Sequence, residues 1–223
     1  MIDKEEIARR FGQSAVSYDS SAIAQRRAVD MLVEHLAPCI KSGASVFEVG
    51  CGTGILTASV IRTFKPHIYI ANDISGDMLA QLRLSASDNM LSTLQGDAEA
   101  IEWPSQQNVV VSASAVQWFD SPLSFVGKSA LSIADGGVVG LATYGPETFC
   151  ELQQLGVSGL HYPRIDEWKN EIASNGLRLL SSEVETVKLH YKSALAMMQD
   201  LQRAGVTASE QKMSASQMRN LLR

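Results

Sequence analysis

A glycine-rich segment, Glu48-Val-Gly-Cys-Gly-Thr-Gly54, carries the strongest chemical signal in the sequence. Glycines placed between a buried strand and a helix let a ligand approach the backbone closely. A phosphate-binding P-loop needs a lysine after its last glycine, and none follows Gly54. A dinucleotide-binding turn has the pattern Gly-x-Gly-x-x-Gly, and the third glycine here is one residue early. Both phosphate-binding interpretations are therefore disfavoured.

The charge next to this loop favours a different ligand. Glu48 lies two residues before the first glycine, where its carboxylate would repel a pyrophosphate. Beside the ammonium and sulfonium groups of S-adenosylmethionine the same carboxylate is attractive, by about 1–4 kcal/mol at partial exposure. The loop therefore predicts an S-adenosylmethionine site.

Acidic residues follow the next two predicted strands. Asp73 ends the second strand, where a carboxylate can accept hydrogen bonds from both hydroxyls of a ribose. Asp97, which follows the third strand, can accept a hydrogen bond from an adenine amino group. The fourth strand ends at Ser112, where backbone groups can line the same cleft.

Each acidic residue also has a purely structural interpretation. Asp73 could cap the helix that begins near Ser75, and Asp97 could hold a turn. The order and spacing of the residues, on successive strand ends at one edge of a sheet, favour a ligand-binding site over these structural roles.

The elements that must position these residues alternate between short apolar runs and helical segments. Such alternation predicts an α/β fold, a Rossmann-like, doubly wound and mostly parallel sheet with helices on both faces. The predicted strands are Ser45–Val49, His67–Asn72, Leu91–Leu94, Val109–Ser112 and Gly137–Thr143. The first 37 residues look helical, and beyond Gly145-Pro146 we expect further helices and a half-exposed antiparallel strand within Leu177–Tyr191.

Composition and charge exclude several classes of protein. The chain has 223 residues, 45% of them hydrophobic, and a net charge of −5, which argues against a general nucleic-acid binder. We find no apolar stretch long enough to span a membrane, no secretory signal, and neither a disulfide framework nor metal-ligand spacing among the cysteines and histidines. A cytoplasmic protein without a metal, acting as a monomer, is the expectation.

The motifs resemble those of class I S-adenosylmethionine-dependent methyltransferases. The resemblance rests on the glycine loop, on Asp73-Ile-Ser75 followed by Met78-Leu79, and on Gly96-Asp97-Ala98-Glu99, and it covers residues 45–145. It implies that Glu48, Gly50, Cys51, Gly52 and Gly54 hold the methionine side of the cofactor. It further places Asp73 and Ile74 at the ribose, Asp97 and Ala98 at the adenine, and Ser112 at the edge of the site.

A narrower resemblance is to the malonyl-acyl carrier protein O-methyltransferases of biotin synthesis. It is carried by Phe11-Gly-Gln-Ser-Ala-Val-Ser-Tyr18-Asp19, by Ser112-Ala-Ser-Ala-Val-Gln117-Trp118 and by Ala142-Thr-Tyr144-Gly-Pro146. It implies that the free carboxylate of a malonyl thioester is the methyl acceptor and that acyl carrier protein is the partner. Tyr18 and Gln25, on a helical lid, would then close over the sulfonium, and Arg164 is our candidate partner for the acceptor carboxylate.

Two departures from the family pattern affect these expectations. A polar residue usually follows the serine matched here by Ser112, and this chain has Ala113. Class I enzymes usually end with an antiparallel seventh strand beside the fifth, and no apolar strand follows Tyr191. We therefore expect six strands, with the final one absent.

The chain is thus predicted to be a single methyltransferase domain over residues 1–223. Residues 1–40 would form the lid, 41–145 the cofactor-binding core, and 146–223 the substrate-side helices, the late strand and a basic helical tail. Residues 187–223 carry a net charge of +4 and are a candidate dock for an acidic carrier protein. The arginines near the N-terminus are a second candidate dock, namely Arg9, Arg10, Arg26 and Arg27.

Three other functions remain open at this point. The first is a methyltransferase acting on another small molecule. The second is a non-catalytic module that binds S-adenosylmethionine, which Ala113 and the missing final strand keep open. The third is a nicotinamide-dependent oxidoreductase, which the glycine spacing and Glu48 disfavour.

Overall fold

The computed structural model describes residues 3–14, 22–85, 90–154 and 159–203. Tyr18 and the helix expected over residues 209–223 lie outside these ranges. The elements, in chain order, are α1 (Lys4–Ser14), α2 (Ile23–Leu36), β1 (Ser45–Val49), α3 (Ile55–Phe64), β2 (Ile68–Asp73), α4 (Gly76–Ser85), β3 (Leu91–Gln95), β4 (Gln107–Ala113), a 3₁₀ turn (Val116–Trp118), α5 (Ser124–Ser132), β5 (Ile133–Ala142), α6 (Cys150–Gln154), α7 (Ile165–Ser174) and α8 (Ala194–Arg203).

The strands form one parallel sheet in the order β3-β2-β1-β4-β5. The chain builds outward from β1 through β2 to β3, and then returns to the other side of β1 with β4 and β5. This reversal creates a crevice at the carboxyl ends of β1 and β4, where open α/β sheets bind their ligands. The predicted α/β architecture is confirmed.

Helices cover both faces of the central strand, whose successive side chains point to opposite faces. On one face Val46 packs with residues of α2, α3 and α4. On the other face Phe47 packs with Phe125 of α5 and Trp168 of α7. The central strand β1 is buried along its whole length, which explains its continuous apolar sequence around Glu48.

The N-terminal helix α1 packs against α4 and near the crevice. Its start is stabilised by Asp3, whose carboxylate accepts the backbone N–H of Glu6 at 2.9 Å. Ile7 is buried and packs against Trp118, which follows β4. A side chain in place of Gly12 would come within 2.6 Å of the Asp77 carboxylate, so the helix and α4 approach closely.

The strand expected within Leu177–Tyr191 does not form in the described residues, and the sheet there has five strands rather than six. Side-chain contacts hold this segment beside α2 instead. Glu185 pairs with Arg27 at 2.6 Å, and Glu183 accepts a hydrogen bond from His35 at 2.9 Å. The alternation of polar and apolar residues in this segment indicates that it is amphipathic. A strand also needs a neighbouring strand edge with which its backbone can pair.

No helix in the ranges given above is both long enough and apolar enough to cross a lipid bilayer.

Candidate active site

A cavity opens at the crevice where the sequence predicted the cofactor. It is a concave space of about 900 Å³, open solvent included, and both apolar and polar residues line it, as is usual for small-molecule sites. Most of the residues expected to hold the cofactor line it, namely Gln25, Glu48, Gly50, Cys51, Gly52, Asp73, Ile74, Asp97 and Ala98. The structure therefore brings together residues from α2, the ends of β1 and β2, and the loop after β3.

Glu48 is the buried acid of the cavity, with only 1% of its surface exposed. Its Oε2 accepts hydrogen bonds from the hydroxyls of Thr57 at 2.5 Å and Tyr69 at 2.6 Å. Burial raises the pKa of Glu48 to about 7, although both hydroxyls favour the ionised form. No described residue donates to Oε1, so this oxygen is available to a cationic ligand.

The glycine loop after β1 packs tightly against the segment that follows β4. A Cβ atom on Gly50 would lie 2.2 Å from the Cβ of Ala115, so only glycine fits there. Nothing lies within 4 Å of the position that a Cβ on Gly52 would take, which leaves open space beside the cavity. The loop therefore offers backbone rather than side chains to a ligand.

Gly54 does not line the cavity, in contrast to our expectation. It precedes α3 with a φ of 99°, a left-handed conformation that favours glycine. A Cβ atom there would lie 2.4 Å from Leu82 of α4. Its role in this structure is to let α3 start close to α4.

Asp73 has a structural role, and it also lies in the position expected for a ligand-binding residue. Its Oδ1 accepts the backbone N–H of Ser75 and its Oδ2 that of Gly52, each at 2.8 Å. Burial raises its pKa even though backbone N–H groups stabilise the charged form. A carboxylate has about four lone-pair positions, so acceptor capacity remains for a ligand hydroxyl.

Asp97 also holds a turn, accepting the backbone N–H of Glu99 at 3.0 Å. A residue that sequence analysis missed lies next to it. Lys4 of α1 places its Nζ 2.6 Å from the Glu99 carboxylate and 3.6 Å from that of Asp97. Lys4 is also the only cationic side chain among the described residues that line the cavity.

Another part of the cavity lining is apolar and aromatic, and it too was missed. Phe11 of α1 meets Trp118 edge to face, with ring centroids 5.5 Å apart. Ile7 and Phe119 complete this wall. The apolar sequence directly after β4 was a signal for it, because that segment follows a strand end at the crevice.

Ser112 lies away from the cavity, contrary to our expectation. It is fully buried within β4, and its hydroxyl donates to the backbone oxygen of Val49 at 2.8 Å. The strand continues to Ala113, so the residues that reach the cavity are Ala113, Ser114 and Ala115. Through this hydrogen bond Ser112 joins β4 to β1.

Arg164 is likewise not part of the cavity lining. It is exposed and precedes α7, where its backbone N–H donates to the Glu167 carboxylate at 2.7 Å. The candidate partner for the acceptor carboxylate is therefore not supported by this geometry.

Comparisons with known proteins identify the fold and the family. The model of the family described as "Methyltransferase domain" matches residues 46–137. Solved structures of the YcgJ protein from Bacillus subtilis and of an S-adenosylmethionine dependent methyltransferase from Mesorhizobium loti share the fold. Their TM-scores are 0.65 and 0.54 and their identities 16% each; the matches cover 87% and 65% of this chain, and 81% and 78% of those chains.

Two similar enzymes match nearly the whole chain. The malonyl-[acyl-carrier protein] O-methyltransferase of Haemophilus ducreyi is 33% identical over 95% of this chain and 83% of its own length. The enzyme of the same name from Haemophilus influenzae is 31% identical over 95% of this chain and 81% of its own length. The chain is an S-adenosylmethionine-dependent methyltransferase and belongs to the family of malonyl-[acyl-carrier protein] O-methyltransferases.

Proposed function

We propose that this protein transfers the methyl group of S-adenosylmethionine to the free carboxylate of a malonyl group carried by acyl carrier protein. The similarity to the two Haemophilus enzymes over 95% of the chain carries the assignment of the acceptor. The cavity supports the assignment of the donor.

The residues of the cavity fit S-adenosylmethionine along its length. Glu48 offers a free carboxylate oxygen to the cationic methionine end. Gly50 and Gly52 offer backbone at close range. Asp73 retains lone pairs for the ribose hydroxyls, and Asp97 with Ala98 borders the place for the adenine.

When bound, S-adenosylmethionine supplies an electrophilic methyl on a sulfonium, and its transfer to a carboxylate oxygen forms a C–O bond, breaks a C–S bond and moves no proton. A carboxylate is already nucleophilic at neutral pH, so the protein need not supply a general base. Cys51 is consistent with a reaction that uses no general base, because burial raises the pKa of its thiol well above the ordinary value and keeps the thiol neutral. Catalysis then rests on alignment and on exclusion of water.

Helix α1 is the cover of this site in our proposal. Ile7 and Phe11 bring apolar surface over the cavity, and Lys4 ties the helix to the loop after β3. Gln25 of α2 is buried and also lines the cavity. Tyr18 lies outside the described residues, and its role over the sulfonium stays a prediction.

An acidic carrier protein needs a basic dock, and the structure weakens one of the two candidates. Arg9 pairs with Glu6 at 2.7 Å and Arg27 with Glu185 at 2.6 Å, so the N-terminal arginines are partly neutralised. We therefore propose the basic segment of residues 187–223 as the dock. Its described lysines, Lys188 and Lys192, are exposed.

The function is tested by intact-mass analysis of carrier protein incubated with this protein and S-adenosylmethionine. The malonyl-loaded carrier should gain one methyl group, while acetyl-loaded and unloaded carriers should remain unchanged. S-adenosylhomocysteine should accumulate only in the first sample. No gain of mass on the malonyl-loaded carrier, with S-adenosylmethionine bound, would refute the proposed acceptor.

A further inference from the structure

A group of polar side chains lies where β4 and β5 end, apart from the residues assigned to the cofactor. We call Ser114, Gln117, Thr143 and Tyr144 the hydroxyl cluster. The hydroxyl of Ser114 donates to the phenol oxygen of Tyr144 at 3.2 Å. The two residues are 30 positions apart and meet because β4 and β5 are parallel neighbours.

The backbone of Ser114 is held firmly in an unusual conformation. Its φ is 56°, a left-handed value that a residue with a side chain rarely adopts. Its N–H donates to the oxygen of Ala142 at 2.9 Å, and its oxygen accepts the amide of Gln117 at 2.7 Å. Thr143 in turn donates to Gln117 at 3.4 Å. Strained backbone of this kind persists where the surrounding structure enforces it, commonly at functional sites.

The hydroxyl cluster reaches the cofactor cavity through Ser114, at the end that we assign to methionine. Ser114 itself lines the cavity. Its neighbour Ala115 is the residue that packs against Gly50, the first glycine of the loop beside Glu48. Ser114 therefore links Tyr144, which is outside the cavity lining, to the end of the cavity where an acceptor has to approach the methyl group.

Tyr144 is a hydrogen-bond donor at neutral pH. Burial raises its pKa above the ordinary value for a phenol, so the proton stays on the oxygen. The Ser114 hydroxyl donates a hydrogen bond to that oxygen. In the described part of the chain, no acceptor takes a hydrogen bond from the Tyr144 hydroxyl. Tyr162 is buried nearby, and burial, with a contribution from Tyr144, raises its pKa to about 12. The region thus offers neutral donors rather than a charge.

A cationic partner for an acceptor carboxylate is lacking in the described cavity lining. Lys4 already pairs with Glu99, at the loop assigned to the adenine, and Arg164 is not part of the lining. A neutral donor also suits the reaction, because one hydrogen bond can orient one carboxylate oxygen. The other oxygen keeps the electron density it needs to attack.

We propose that Tyr144, positioned by Ser114, donates a hydrogen bond to the methyl-accepting carboxylate and thereby selects malonyl over uncharged acyl groups. This inference rests on the proposed function. Tyr144 is then a substrate-binding residue, and Ser114 a positioning residue that sets the direction of its hydroxyl.

The test compares binding of malonyl-loaded and acetyl-loaded carrier protein in the presence of S-adenosylhomocysteine, which cannot transfer a methyl group. Wild type should prefer the malonyl form, and Tyr144→Phe should reduce that preference by about tenfold or more, as expected for a hydrogen bond to a charged group. Ser114→Ala should reduce it by a smaller factor. Ser174→Ala is the control for a lost hydroxyl, because Ser174 lies at an exposed position on α7, outside both the cavity lining and the proposed dock.

Affinity for S-adenosylhomocysteine, measured in the same samples, reports whether each variant keeps its fold. If Tyr144→Phe loses that affinity, Ser114→Ala decides: a reduced malonyl preference supports the inference, and an unchanged one overturns it. In steady state the Tyr144 variant should show a raised KM for the malonyl carrier.

Two failures are distinguishable. A Tyr144→Phe variant that binds the cofactor product and keeps the full malonyl preference overturns this inference and leaves the proposed function intact. A wild-type protein that neither methylates nor prefers the malonyl carrier overturns both.

Discussion

The carboxylate of Asp73 accepts the backbone N–H of Gly52 at 2.8 Å, so a side chain at the end of β2 holds the loop that follows β1. The residue expected to bind the ribose therefore also fixes the glycine loop. Binding and loop geometry cannot be separated at this position.

Replacing Asp73 should consequently affect both stability and cofactor affinity. Asp73→Ala leaves the N–H groups of Gly52 and Ser75 without their acceptor, which should lower the free energy of unfolding by about 1–3 kcal/mol. S-adenosylhomocysteine affinity should fall by at least about tenfold, since the ribose contact is lost as well. Urea denaturation and calorimetric titration measure the two effects. Asp135→Asn, at an exposed position on β5, is the control; equal cofactor affinity in both variants would exclude Asp73 from the site.

The buried carboxyl of Glu48 predicts a pH-dependent cofactor affinity. Its pKa of about 7 means that roughly half of the free sites hold a neutral Glu48 at that pH. A cationic ligand favours the ionised form, so affinity should rise as the pH rises from about 6 to about 7.5. Glu48→Gln should weaken binding and flatten this dependence. Identical pH profiles in wild type and variant would contradict the assignment of Glu48.

The same raised pKa has a consequence for the unliganded fold. Because the folded pKa of Glu48 lies above the ordinary 4.5, the folded state binds the proton more tightly than the unfolded chain. This stabilising contribution is complete below about pH 4.5 and is lost as the pH rises through about 7. The difference in stability between wild type and Glu48→Gln should therefore change over that interval. A difference independent of pH, measured by urea denaturation, would show that Glu48 does not titrate there.

The ion pair between Lys4 and Glu99 should help to hold helix α1, the cover of the site, over the cavity. The pair is only about one-fifth exposed on either side chain, so it is less screened than a surface pair. Lys4→Met, which keeps the apolar stem, should speed dissociation of S-adenosylhomocysteine by a few-fold, about what a partly exposed pair contributes. Stopped-flow measurements would show this. Lys169→Met, at an exposed position on α7, should leave the rate unchanged, and an equal effect of both changes would refute the role of Lys4.

The basic C-terminal segment can be tested as the carrier dock by charge reversal. Lys212→Glu with Arg219→Glu should raise the KM for malonyl-loaded carrier several-fold, about 1 kcal/mol in binding, and weaken its dependence on salt. Cofactor affinity should not change. Lys41→Glu with Lys169→Glu, two exposed positions outside this segment, controls for the change in overall charge. An unchanged carrier affinity would remove this segment from consideration.

The core of the site could be predicted because its residues are close to strand ends in the sequence. Glu48, Gly52, Asp73 and Asp97 are each placed by the strand they end or follow, and parallel strands bring those ends together. Gly54 and Ser112 fall within the same motifs but face helix and sheet contacts. Their motif positions alone did not distinguish a ligand contact from a packing contact.

The remaining features depend on contacts between residues far apart in the chain. Lys4 meets Glu99 across 95 positions, and Ser114 meets Tyr144 only after β4 and β5 pair. The segment within Leu177–Tyr191 has a strand-like pattern, yet Glu185 binds Arg27 of α2 instead of joining the sheet. The local periodicity of the sequence does not predict any of these contacts.

Transfer of a methyl group to the free carboxylate of a malonyl thioester can be followed with an isotopic label. The most direct measurement uses S-adenosylmethionine with a deuterated methyl group and malonyl-loaded carrier protein, followed by mass spectrometry of the acyl group after its release. One deuterated methyl ester on the distal carboxylate is expected for each S-adenosylhomocysteine formed. Label on the carrier polypeptide, label on any other atom of the acyl group, or no label at all would contradict it.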